Sequence, residues 1–182
     1  MVDVDAGEIS AFLRGMRQRR KFADERIPYE IVQDILEVAR WTGSAKNSQP
    51  WDLVVVRDRD QLRQLSECGQ FAGFLAGVDV AIVIALHGYG QTAMLYDEGR
   101  ISERIMLMAT AHGLGSGTAW FSDEAGQARV KEMLGIPAEW LVHSAVGIGY
   151  PDPDADDRPG VALGRRAMED IVSYERFGER NA

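Results

Sequence analysis

The chain of 182 residues has one cysteine, three histidines and six prolines. Cys68 has no second cysteine to pair with, so no internal disulfide can form, and a reducing compartment suits it. His87, His112 and His143 share no ligand spacing with one another or with Cys68, and no metal site is expected. A Gly-x-Ser-x-Gly elbow for a serine nucleophile is missing. Positive charge is in short supply: 20 Lys and Arg against 28 Asp and Glu leave a formal charge of −8. That excess of acid disfavours nucleic acid and acidic membranes as partners, so any bound anion must be held by a local cluster of bases. Long apolar runs are lacking too. The longest, Val78 to Leu86, includes Asp79 and is far too short to span a bilayer. Met1-Val2-Asp3-Val4-Asp5 is acidic and lacks the basic stretch and apolar run of a secretion signal. The expectation is a cytoplasmic protein without a membrane anchor.

What is present is ordinary globular material, 46% hydrophobic, and a single domain over residues 1–182 is expected. Asp5 followed by Glu8 makes a capping box, and Ile9, Phe12, Leu13 and Met16 then recur at helical spacing. Pro28 opens a second helix through Ile31, Ile35 and Val38 towards Gly43. Trp51 to Val56 reads as a strand bounded by Pro50 and a turn at Asp58-Arg59-Asp60. Val78 to Leu86 is apolar on both faces, as a strand in mid-sheet would be. A long helix is expected over Met94 to His112, stopped by Gly113. Thr118 to Phe121 and Val142 to Tyr150 read as two more strands, with a helix ending at Gly135 between them. Strands interleaved with helices imply a sheet covered by helices, without telling strand direction. The tail from Gly160 carries little periodicity.

Four groups of residues could carry chemistry. Arg14, Arg17, Arg19, Arg20 and Lys21 crowd the end of the first helix, either as a solvated, dipole-favoured terminus or as a clamp for a small phosphorylated cofactor. Ser44-Ala45-Lys46-Asn47-Ser48-Gln49-Pro50-Trp51 is either a polar loop or a set of amides and hydroxyls at a sheet edge. Gly113-Leu114-Gly115-Ser116-Gly117 follows a helix and precedes a strand, the reverse of a dinucleotide fingerprint, so its glycines are read as a tight turn. Gly164-Arg165-Arg166 is an ordinary surface pair or the distant half of a phosphate site. Asp152-Pro153-Asp154-Ala155-Asp156 imitates a calcium loop, but Asp157 stands where glycine is needed and Leu163 where the bidentate glutamate belongs.

Taken in order, Arg17-Gln18-Arg19-Arg20-Lys21-Phe22, Ile27-Pro28 and Ser44 to Trp51 resemble the N-terminal signature of the nitroreductase family. Asp97-Glu98-Gly99, leading to Gly113-Leu114-Gly115-Ser116, is similar to the family's middle segment. Gly147 to Pro151 and Arg165 to Val172 are similar to its C-terminal end. The resemblance runs from about Phe12 to Gly178.

The resemblance implies an α+β fold with three α/β/α layers and a mixed, largely antiparallel sheet, in an intertwined homodimer. Residues 160–182 would then be a tail packed on the partner subunit. It also implies FMN at the dimer interface, with NADH or NADPH as reductant. Arg17, Gln18 and Arg20 match the stretch that holds the phosphate, ribityl chain and pyrimidine edge. Arg166 with Arg165 matches the C-terminal phosphate contact, Ser44 and Asn47 the loop that reaches the flavin, and Gln70 an amide near the N3/O2 edge. The backbone around Trp120 falls beside N5. Met16-Arg17-Gln18 departs from the usual Arg-Arg-Ser, which leaves open which arginine makes the first phosphate contact. Trp120 is bulkier than the small residue expected there.

No protein acid or base is required when the chemistry is the flavin's. The expected reaction is ping-pong transfer from NAD(P)H to a small organic acceptor, nitroaromatic or quinone-like. Tyr89, Met94, Tyr96 and Trp120 are candidates for an acceptor pocket, and His87 to Gly99 for a lid. The alternatives are a flavin-binding protein without turnover, a reductive dehalogenase, or a flavin-cleaving relative.

Overall fold

The computed structural model describes residues 5–88, 90–155 and 164–180. Helix α1 (Ala6–Gly15) is capped by Asp5, whose carboxylate accepts the Glu8 amide at 2.8 Å. Helix α2 (Tyr29–Arg40) starts after Pro28 and buries Val32, Ile35 and Ala39. Strand β1 (Trp51–Val56) matches the expected run. The acidic turn expected after it is instead the start of helix α3 (Arg59–Ser66), because the Asp58 side chain accepts the amides of Asp60 and Gln61 and so caps it. Strand β2 (Val80–Leu86) is buried along its whole length. Helix α4 (Gln91–Ala111), strand β3 (Gly115–Trp120), helix α5 (Glu124–Leu134), strand β4 (Leu141–Gly149) and the short helix α6 (Met168–Ile171) complete the order. Gly113 and Gly135 end α4 and α5 in left-handed conformation, which glycine adopts without steric cost.

The strands lie in the order β1-β2-β4-β3, and every pairing among these described strands is antiparallel. Alternation along β2 separates two cores. Val80, Ile82, Ile84 and Leu86 face α2 and α4 with Ile101, Ile105 and Ile148. Ala81, Val83 and Ala85 face the other way, towards Leu62, Leu65, Leu75, Phe121 and Val130. A strand apolar on both faces therefore sits between two helical layers, the larger residues towards α4. Helix α1 buries none of its residues: Ile9, Phe12 and Leu13 are all exposed.

Two of the glycines read as a turn lie inside β3. A Cβ on Gly117 would fall 2.7 Å from the Arg19 carbonyl oxygen, and one on Gly115 would fall 2.9 Å from Arg19 Cβ. Their absence lets the stretch after α1 lie flat on the strand, where the Arg19 amide donates to the Ser116 carbonyl at 2.7 Å. Phe22 continues the contact by bridging to Pro151. The two long-separated ends of the chain are thereby brought to one edge.

Candidate active site

Along that edge Gln18 Oε1 accepts the Thr118 amide at 3.3 Å, holding the basic stretch in register with β3. Beside it opens a crevice of about 270 Å³ lined by Arg17, Gln18, Ser116 and, from the C-terminal segment, Arg165. Glu103 of α4 lines the same crevice. Arg17 donates one nitrogen to the carbonyls of Arg14 and Met16, at 2.8 and 2.6 Å. A guanidinium has five donors in a fixed fork, so the others remain for a ligand. Two guanidiniums, an amide and a hydroxyl form a donor set that fits a phosphate ester, and Glu103 confines the favourable region to the arginine side. Arg20 and Arg166, the other two arginines that the resemblance matched to the cofactor, point elsewhere. The Arg20 guanidinium lies 5.9 Å from the centre of the Phe74 ring, and Arg166 donates to the Asp170 carbonyl at 2.6 Å.

The Ser44 to Trp51 loop is held in a costly conformation. Lys46, Asn47 and Gln49 have φ of 54°, 54° and 46°, and left-handed backbone at a residue other than glycine costs about 1 kcal/mol or more each. Ser44 Oγ accepts the Gln49 amide at 2.8 Å and closes the loop. Next to it is a cavity of about 390 Å³, walled by Lys46, Pro50, His87, Met94 and the buried Asp97. Asp97 is held by Arg100 at 3.1 Å. Ser44 itself lines a more open hollow, about 580 Å³, with Tyr96 and Arg100. Gly88 and Gly90, both at positive φ, lead into α4. Most of the segment named as a lid is thus the first two turns of a helix, and Tyr89 lies outside the described residues.

Gln70 lies apart from both, in a crevice with Asp123 and Arg129 between α3 and α5. Trp120 stands at the end of β3 with 42% of its surface exposed. Its ring stacks on His143, with centroids 5.7 Å apart and planes 15° from parallel. Beneath His143 lies Glu98, a buried acid that the sequence placed in a family-like segment without giving it a role. The signal was there: Glu98 shares the helical stripe of Met94, Ile101 and Ile105, an acid among core positions. Burial pushes its carboxyl above the usual carboxylate range, against the opposing pull of the Ser144 hydroxyl and His143.

Within the single chain, then, Arg17, Gln18 and Arg165 meet in one crevice. Ser44 and Asn47 share a second region, while Gln70, Trp120, Arg20 and Arg166 occupy separate places. The calcium-loop imitation ends beyond Ala155, outside the described residues, and no cluster of metal-ligating side chains forms among the described ones.

A family model described as the nitroreductase family matches residues 13–150. A protein of Archaeoglobus fulgidus, provisionally named an NADH dehydrogenase/NAD(P)H nitroreductase, is 35% identical over 147 residues, covering 77% of this chain and 83% of its own. A Thermus thermophilus NADH dehydrogenase is 26% identical over 172 residues, covering 74% and 82%. Among solved structures, an FMN-dependent nitroreductase from Clostridium difficile superposes with a TM-score of 0.81 at 26% identity, covering 92% of this chain and 99% of that one. With the matched span running through β1 to β4, this chain belongs to the nitroreductase family.

Proposed function

We propose that this protein is an FMN-dependent oxidoreductase that takes hydride from NAD(P)H and reduces a small organic acceptor, nitroaromatic or quinone-like, in alternating half-reactions. The observation that carries the reading is the crevice of Arg17, Gln18 and Arg165 in a chain of net charge −8. Bases assembled from both ends of an acidic protein need a specific anion to explain them, and a mononucleotide phosphate matches their fork geometry. Family membership and the names of the relatives supply the rest.

The chemistry supplied by FMN is hydride acceptance from NAD(P)H and onward two-electron reduction of the acceptor. The chain's own part is to bind, orient and exclude water. Arg17 and Arg165 hold the phosphate, and Gln18, braced against the Thr118 amide, orients the group beyond it. Ser44 and Asn47, on a loop already fixed in shape, lose little conformational freedom when they meet a ligand. Arg20, Gln70, Arg166 and the backbone at Trp120, which lie outside that crevice, join the set in this reading only as more distant contacts.

The same reading takes the molecule to be a single-domain homodimer. Phe177 is 98% exposed, and Trp41, Tyr96, Met168 and Ile171 are also solvent-facing. With the bare apolar face of α1, they make a surface that a second copy would cover, the tail of residues 160–182 lying on its partner. In this reading the Ser44 loop of one subunit lies towards the arginine crevice of the other. No helix among the described residues is long and apolar enough to cross a membrane.

The test is the visible absorption spectrum of the purified protein, before and after NADH or NADPH is added without oxygen. A flavin band that bleaches supports the reading. A flavin band that neither nicotinamide bleaches favours a binding protein, and no flavin band after reconstitution with FMN overturns the cofactor assignment.

A further inference from the structure

Glu98 is only 4% exposed, and its carboxyl group is turned from α4 onto β4. Ser144 Oγ donates to Oε1 at 2.5 Å. Oε2 lies 3.5 Å from His143 Nδ1, a buried nitrogen that has no hydrogen bond in this geometry. The imidazole in turn lies under Trp120, whose outer face meets solvent. The order outward is hydroxyl, carboxyl, imidazole, indole. From β4 the titratable group facing Glu98 is His143, and β3 contributes the uncharged Trp120. On its own helix the neighbouring Asp97 is held by Arg100.

The buried Glu98 carboxyl and the buried Nδ1 of His143 are 3.5 Å apart, close enough that a charge on either changes the cost of charging the other. We propose that Glu98 and His143 share one proton beneath Trp120, giving the floor of the site a dipole that responds to the ligand lying over the indole. This rests on the reading above, which puts the backbone at Trp120 beside the flavin. The exchange breaks the O–H bond at Glu98 Oε2 and forms an N–H bond at His143 Nδ1. A neutral acid and imidazole become a carboxylate and an imidazolium, with no electron or atom leaving the pair. Negative charge gathering above Trp120 draws the proton to the imidazole. The approach of Oε2 to an Nδ1 that has no other hydrogen-bond partner gives the proton a seat on either atom. Both residues are positioning groups, since the indole separates them from the ligand.

Proton NMR of the three histidines tests this on apoprotein and on FMN-loaded protein, because H143N identifies the His143 signal. In apoprotein, Glu98→Gln is expected to lower the His143 midpoint, since the counter-charge is gone. FMN is expected to move the wild-type midpoint and to move that of Glu98→Gln much less. Should Glu98→Gln fail to fold, Ser144→Ala removes the hydroxyl that favours the carboxylate and lowers the midpoint by a smaller amount. Equal midpoints in wild type and variants overturn the shared proton. An FMN-loaded protein whose His143 midpoint stays where it was overturns the response to ligand. If FMN does not bind while the variant shift persists, the shared proton stands and the flavin reading falls.

Discussion

Arg57 Nη2 lies 2.5 Å from Asp79 Oδ2 and, with the same nitrogen, 2.7 Å from the Ile27 carbonyl. The Ile27 amide returns to the same carboxylate oxygen at 2.9 Å, and Arg26 reaches the other at 3.0 Å. One buried side chain thus ties the entry to α2, the end of β1 and the start of β2. It is the acid that interrupts the longest apolar run in the sequence, which marks that run as a strand with an anchor.

Removing Asp79 strands the charge of Arg57 and opens three hydrogen bonds at once. Asp79→Ala is expected to cost about 3–5 kcal/mol, read from the urea midpoint. A double-mutant cycle with Arg57→Ala should return a coupling of about 1 kcal/mol or more, and a coupling near zero would show that the pair does not act as a unit.

Gly117 decides whether the basic stretch can reach β3. Gly117→Ala puts a Cβ 2.7 Å from the Arg19 carbonyl, so the stretch carrying Arg17 and Gln18 must lift. FMN affinity is expected to fall about tenfold or more, roughly 1.4 kcal/mol. Gly73→Ala, where nothing stands within 4 Å of the new atom, is the control and should bind FMN like wild type.

The arginines divide by what their guanidiniums already do. Arg17→Ala and Arg165→Ala each remove a crevice base and are expected to weaken FMN by about 1.5–3 kcal/mol, while riboflavin, which lacks the phosphate, is little affected. Arg166→Ala should cost less, because that guanidinium is engaged with the Asp170 carbonyl. Equal losses for FMN and riboflavin in titrations of the variants would remove the phosphate from the assignment.

Glu98 makes stability depend on pH in a definite direction. Its folded-state carboxyl is raised by burial, so the folded protein holds this proton more tightly than the unfolded chain does. The contribution is complete below the ordinary glutamate range and is lost as pH rises through the raised value. Glu98→Gln cannot lose it, so its stability relative to wild type should climb as pH rises above the ordinary glutamate range. Urea unfolding of both proteins across that window checks the sign, and a relative stability that falls instead would contradict it.

The strands and the longest helix were legible because their signals are local. β1 matched residue for residue, and β2 was visible as a run apolar at both periods. Helix α3 was hidden behind an acidic triplet that reads equally as a turn, and only the geometry of Asp58 makes it a cap. Gly115 and Gly117 were misplaced for a related reason. A glycine in a strand and a glycine in a turn look alike until the chain that passes over it is known.

By itself the sequence determined the family, the layering and the residue types at the site, since period, caps and motif order are written along the chain. Tertiary structure alone decided which bases share a crevice. Arg17 and Arg165 are far apart in sequence, and Arg17 reaches the shared crevice because β3 carries no side chains at Gly115 and Gly117 to keep the N-terminal stretch away. It also decided that Glu98 lies under His143 and Trp120, because a helix and two strands must pack before a buried acid can have neighbours.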